Sequence, residues 1–194
     1  MREMISMIVV LTCLTAVSGG LLAAIKDSTE VRIEEQVLKF EKAPALAQIF
    51  PTATNDPLAD RVNIPTEGGD LQIFPGKLED GTYAVAFETK GKGGYGGDVG
   101  LMVGINMEND QIIAVRVTTH GETPGLGSKA KDDPAFVSQY DDKSMEDNFS
   151  LKADNGSIDA MSGATVTSRA VTLAAIEAQK LYKELKPEIQ KQIQ

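Results

Sequence analysis

Four hydroxyls fall within seven positions, at Ser162, Thr165, Thr167 and Ser168, in the stretch Asp159-Ala160-Met161-Ser162-Gly163-Ala164-Thr165-Val166-Thr167-Ser168. The stretch runs straight into an alanine-rich amphipathic segment whose spacing predicts a helix through about Leu185. The first N–H groups of a helix have no internal partner and sit at the positive end of its dipole. With Gly163 letting a ligand approach the backbone, this is chemistry for holding an anion such as a phosphate. The same residues also describe a plain helix start, with Ser162 or Thr165 as N-cap. The residues by themselves leave both readings open.

A second run of interest is His120-Gly121-Glu122-Thr123-Pro124-Gly125-Leu126-Gly127-Ser128-Lys129. Pro124-Gly125 suits a type II turn and Gly127 permits another reversal, so the loop has a stiff shape and several exposed backbone donors. It also suits a tight strand-to-helix connection. A third run, Gly91-Lys92-Gly93-Gly94-Tyr95-Gly96-Gly97, contains a literal G-x-G-x-x-G. A dinucleotide fingerprint needs a helix right after the glycines inside a βαβ unit, whereas here another strand pattern follows, and no Gly-Lys-Ser/Thr closes a P-loop. The run reads as a hairpin connection, or as a loop that meets a cofactor or partner through backbone N–H groups, and Tyr95 could stack on an aromatic ring.

Asp159-x-x-Ser162-Gly163-Ala164-Thr165 resembles the flavinylation motif of the FMN-binding domain family, in which a threonine hydroxyl carries FMN through a phosphoester bond. The resemblance places the covalent FMN on Thr165, with Ser162, Gly163 and Ala164 around it and Thr167 and Ser168 as neighbouring hydroxyls that do not carry it. A phosphodiester keeps one negative charge, which a helix N-terminus stabilises. Glu122-Thr123-Pro124-Gly125-Leu126-Gly127 is similar to a second block of the same family that helps form the flavin pocket. It implies flavin contacts from Glu122, Thr123, Gly125, Leu126, Gly127 and Lys129. Asp159 and Ser162 are implied in recognition by a flavin transferase and in the geometry of the turn. His120 receives no catalytic role, and no residue of the chain is assigned one.

The elements that must position these groups follow from periodicity. Ile5 to Ile25 is an uncharged run of 21 residues, which as a helix spans roughly 30 Å, one bilayer core. Small residues at Ala16, Ser18, Gly19, Ala23 and Ala24 would suit a signal peptidase, but the apolar region of a signal peptide is shorter, about 7–15 residues, which favours a retained anchor. Arg2 and the amino terminus on one side, against Lys26 on the other, place residues 1–4 in the cytoplasm. The bulk then lies on the periplasmic or extracytoplasmic side of a single-pass protein of the cell membrane. Residues 26–70 read as a stalk helix that breaks near Pro44 and an irregular connection from Pro51 to Gly69. Alternating runs at Thr82 to Thr89, Val99 to Ile105 and Ile112 to Thr118 predict an antiparallel meander with one apolar face. The C-terminal helix covers that face with Val171, Ala174, Ala178, Leu181, Tyr182 and Leu185. A short helix follows an Asp cap at Asp132-Asp133-Pro134. The expected architecture is α+β: a transmembrane helix, then one FMN-binding domain over residues 71–186 with an antiparallel sheet packed by helices, and a frayed tail over 187–194.

Composition narrows the function. A net charge of −9 argues against a nucleic-acid partner, and 42% apolar content is ordinary for a chain with a core. One cysteine and one histidine leave no disulfide framework and no cysteine or histidine metal site. The anchor, the extracytoplasmic bulk and the two motifs together resemble the G-subunit family of the Rnf ion-translocating electron-transport complexes. The C-type subunits of the sodium-pumping NADH:quinone reductases share the flavin motif and anchor but are usually longer. The resemblance implies an oxidoreductase subunit that is an electron carrier rather than an independent catalyst. Its complex would couple ferredoxin and NAD redox chemistry to movement of sodium ions or protons. The other Rnf subunits in the membrane are the implied partners, and a flavin transferase would attach FMN from FAD. Two further classes are a stand-alone extracytoplasmic flavoprotein and an anchored module without flavin that binds an anion or peptide.

Overall fold

Apolar residues that alternate along the middle of the chain build a sheet in the computed structural model of the protein, which describes residues 1–66 and 68–193. The chain divides into two units, residues 1–40 and residues 41–194. The first is dominated by α1 (Arg2–Val37), none of whose residues is buried. The helix that begins at Arg2 is, among the described residues, the one long and apolar enough to cross a membrane. Two hydroxyls in its apolar part are satisfied along the helix itself, with Thr12 donating to the Ile8 carbonyl (2.8 Å) and Thr15 to that of Leu11 (2.9 Å).

A π-helical turn at Leu38–Lys42 precedes α2 (Ala43–Ile49). Pro44 does not break a stalk helix as expected. It sits at the start of α2, directly after the π-helical turn, and the helix runs on through it to Ile49. The second unit then forms five strands, β1 (Val62–Thr66), β2 (Gly69–Lys77), β3 (Tyr83–Gly94), β4 (Gly97–Asn106) and β5 (Gln111–Val117), joined in the order β1-β2-β3-β4-β5 with every pair antiparallel. The meander is therefore wider than the three expected strands. β1 lies in the stretch read as irregular, because Pro65 and its polar neighbours hide a strand that Pro tolerates at a sheet edge. Beyond the reach of β1, Asn55 takes the place of a strand along β2. Its amide donates to the Pro75 carbonyl (2.9 Å) and its oxygen accepts from the Lys77 N–H (2.8 Å).

Both faces of the sheet are covered. One packs Val85, Phe87, Leu101, Val103 and Val115 under Val171, Ala174 and Ala178 of α5 (Thr165–Ile193). The other carries small residues, Ala84, Ala86 and Ala114 beside Phe74 and Met102, all buried, against Leu46, Ile49 and Phe50 of α2 and its end. This second cover departs from the single apolar face expected. Ala and Gly on alternate positions read as indifferent in sequence, yet they admit a helix at close range: a Cβ on Gly104 would lie 2.1 Å from Ile49 Cγ2.

Between β5 and α5 come α3 (Lys129–Asp132) and α4 (Pro134–Val137), the latter capped by Asp133, whose carboxylate accepts from the Ala135 N–H (3.0 Å). The polar stretch that follows is tied to α5. Gln179 donates to the carbonyls of Met145 (3.0 Å) and Asp147 (2.8 Å), and Arg169 grips Asp154 with two nitrogens. α5 continues through Pro187 to Ile193 with Ile189 fully buried, so the tail read as frayed is helical. Near that end Lys186 and Tyr182 bond to Asp110 (2.6 and 2.7 Å). Burial works to raise the Asp110 carboxyl, but the bonds from Lys186 and Tyr182 outweigh it and hold it below its ordinary value.

Two outcomes are expected from this packing. A Cβ on Gly91 would lie 1.7 Å from the Ala170 carbonyl oxygen of α5, so Gly91→Ala should destabilise the full chain by about 2–3 kcal/mol in thermal or denaturant unfolding. Asp110, depressed in the fold, contributes stability that is present above its ordinary value of 3.8 and lost as pH falls below it. With 40% of its side chain exposed, Asp110→Asn should cost about 0.5–1 kcal/mol at pH 7. The gap to the natural protein should close as unfolding is measured at successively lower pH below that value.

Candidate functional site

α5 begins without the cap that its sequence suggests. The first helical bond runs from the Ser168 N–H to the Ala164 carbonyl (2.9 Å), and the Ser168 hydroxyl donates to the same carbonyl (2.9 Å) while accepting from the Met161 N–H (2.9 Å). Ser168 thus closes the turn from inside the helix. Gly163, at φ 78°, makes the reversal that brings the chain into the helix, a conformation that side chains disfavour. Neither Ser162 nor Thr165 caps the first turn. Among the described residues the N–H groups of Thr165, Val166 and Thr167 have no hydrogen-bond partner, as first-turn donors do when no side chain meets them.

The four hydroxyls are separated by their surroundings. Thr167 is 2% exposed and donates to Glu122 Oε2, and Ser168 is fully buried and doubly bonded. Thr165 is exposed, and its hydroxyl has no partner among the described residues. It opens onto a cavity of about 610 Å³. Gly163, Ala164, Thr165, Val166 and Thr167 form one wall, Glu122, Thr123, Leu126 and Gly127 another, and Tyr95 the rim.

The loop after β5 is shaped by local bonds. The Gly125 N–H donates to Ser128 Oγ (2.9 Å) and the Glu122 N–H to His120 Nδ1 (3.2 Å), which gives the lone histidine a place in holding the loop. Glu122 reaches both other walls, accepting at Oε1 from the Gly96 N–H (2.9 Å) and at Oε2 from Thr167. The glycine run between β3 and β4 is largely strand rather than a loose connection, and only Tyr95-Gly96 turn.

Of the residues singled out in the sequence, Tyr95, Glu122, Thr123, Leu126, Gly127, Gly163, Ala164 and Thr165 meet at the cavity. Ser162, Gly125 and Lys129 do not line it: Gly125 shapes the loop, Lys129 opens α3, and Ser162 is exposed on the turn. Asp159 is paired with Lys152 (2.6 Å) away from the cavity lining. Val166 and Thr167 belong to the lining although the motifs assign them no contact. A signal for Val166 exists in the sequence, since it is an apolar residue that falls off the buried stripe of α5 and is 47% exposed.

The fit to FMN can be tested on these features. The volume falls within the roughly 300–1,000 Å³ of small-molecule sites. Exposed Tyr95, Leu126 and Val166 offer apolar surface for an aromatic ring system. No lysine or arginine lines the cavity among the described residues, so a phosphate there would be met by the free first-turn N–H groups and the helix dipole. The residues suit the group.

The sequence profile of the FMN-binding domain matches residues 94–180, which take in the end of the glycine run, the cavity loop and the first part of α5. The G subunit of the ion-translocating oxidoreductase complex of Escherichia coli is 33% identical over 190 residues, covering 93% of this chain and 91% of that protein. The protein of the same description from Pseudomonas aeruginosa is 31% identical over 195 residues, covering 93% and 89%. The fold is shared with two crystal structures. The C-type subunit of the Na⁺-translocating NADH-quinone reductase of Parabacteroides distasonis aligns at TM-score 0.52 and 20% identity, over 60% of this chain and 62% of that one. NqrC of Shewanella oneidensis aligns at TM-score 0.50 and 24% identity, over 71% and 73%.

The closure of the turn by Ser168 is directly testable. Ser168→Ala removes both of its bonds and should cost about 1–2 kcal/mol in unfolding, with faster hydrogen exchange at the Met161 amide than at amides in the middle of α5.

Proposed function

Because the chain belongs to the G-subunit family of ion-translocating oxidoreductase complexes, we propose that it is an electron-carrying subunit that holds FMN covalently on Thr165. One observation carries this reading: among four clustered hydroxyls, Thr165 alone is exposed on the cavity with its oxygen free, while Thr167 and Ser168 are buried and bonded and Ser162 is off the lining. A flavin transferase would join Thr165 Oγ to the phosphorus of the FMN half of FAD. The bond to AMP breaks, AMP leaves, and the hydroxyl proton is released.

FMN held there supplies one- and two-electron chemistry. The chain supplies position and electronics. First-turn N–H groups of α5 hold the phosphodiester, Leu126, Val166 and Tyr95 shield a ring, and the tether prevents loss of a flavin where free FMN is scarce. In this reading residues 5–25 anchor the subunit in the cell membrane with its domain, residues 71–186, on the extracytoplasmic side. Membrane-embedded sister subunits deliver and accept the electrons, in a complex that couples ferredoxin and NAD chemistry to movement of sodium ions or protons. Relatives of the same description match over 93% of the chain, which favours the complex subunit over a stand-alone flavoprotein.

The test is flavin fluorescence of the SDS-denatured band after expression with a flavin transferase. The natural chain should fluoresce and Thr165→Val should be dark, with unfolding stability changed by less than about 1 kcal/mol since the site is exposed. A dark natural band, with the transferase active on a control substrate, would overturn the covalent reading. A fluorescent Thr165→Val would move the bond to another hydroxyl.

A further inference from the structure

Glu122 is the only titratable carboxyl on the cavity lining among the described residues, and it is 5% exposed. It accepts a hydrogen bond on each oxygen, from the Gly96 N–H and the Thr167 hydroxyl. No lysine, arginine or histidine forms an ion pair with it among the described residues. Glycines press the backbone around it: a Cβ on Gly94 would lie 2.7 Å from Oε1, and one on Gly127 would lie 2.6 Å from Oε2. Glutamine could make the same two bonds, accepting from Gly96 and donating to Thr167. What glutamate adds is a charge, and burying a charge without a cation is costly.

Resting on the reading of this cavity as the FMN site, we propose that the Glu122 carboxylate sets the reduction potential of the bound flavin, holding it below the value a neutral side chain would give. An electron taken from a one-electron donor, such as a reduced viologen or the redox centre of a neighbouring subunit, adds one negative charge to the cavity while the donor loses one. The carboxylate in the wall opposes that added charge. Salt screens the opposition weakly because the group is buried. The protein thereby tunes the flavin through a side chain that makes no covalent contact with the cofactor.

The experiment is a mediated redox titration of the full flavin-loaded chain in detergent, natural beside Glu122→Gln and Thr167→Val. Glu122→Gln should shift the ratio of oxidised to reduced flavin at fixed potential about tenfold toward reduction, equal to about 59 mV for one electron. Thr167→Val, which keeps the charge and removes the hydroxyl, should move it less than half as far. Equal midpoints in the natural and Gln chains, or a shift in Thr167→Val as large as that in Glu122→Gln, would overturn the assignment. Infrared difference spectra of the natural protein need no variant: reduction should perturb a carboxylate stretching band, and its absence would also overturn the proposal. A natural chain without flavin would instead sink the reading of the cavity itself.

Discussion

The structure depends on how closely α5 lies on β3. At Gly91 the strand presents no side chain, and the Ala170 carbonyl of the helix occupies the space where a Cβ would stand. The Thr89 hydroxyl donates to the Ala174 carbonyl one helical turn on (2.9 Å). Two such contacts along one line fix both the height of the helix over the sheet and its sliding position. The helix N-terminus therefore comes to rest beside the turn at Tyr95-Gly96, at the far end of the same strand. A bulkier interface would lift α5 and separate the cavity walls, which belong to segments some 30 to 70 residues apart in the chain.

The same closeness explains the glycine run better than nucleotide binding does. Gly91 receives the helix, Gly94 and Gly96 receive Glu122, and the turn between the strands is short. The run looks like a phosphate cradle in sequence because both demands, close approach to a ligand and close approach to another part of the chain, select the same residue. What separates them is what comes next, and here a strand comes next.

Much of the fold could be read from the sequence because its strands alternate large apolar residues on one face, as at Val85 and Phe87 or Val103 and Ile105. The opposite face could not, since Ala84, Ala86, Gly104 and Ala114 carry no hydrophobic signal until α2 is known to lie on them. β1 was hidden by Pro65, and the helical end of α5 by Pro187, two residues whose local meaning depends on a sheet edge and on a buried Ile189 respectively. At the site, residues of the two motifs line one cavity, but the state of each hydroxyl was out of reach of the sequence. Ser and Thr favour caps near helix starts, and the sequence cannot say that Ser168, inside the first turn of the helix, closes the reversal while Thr165 stays free.

A cavity without a basic side chain has a consequence for what it can hold. A free phosphate monoester carries close to two charges, and first-turn N–H groups and a dipole equivalent to about half a charge offset them only in part. With Glu122 nearby and the chain at −9 overall, a freely dissociating FMN would be disfavoured by the field of its own site. In the proposed reading, esterification to Thr165 removes one of those charges and makes dissociation impossible. If both proposals hold, a negative pocket and a tethered cofactor are one design: the tether would permit an electrostatic environment chosen for the potential of the flavin rather than for its affinity.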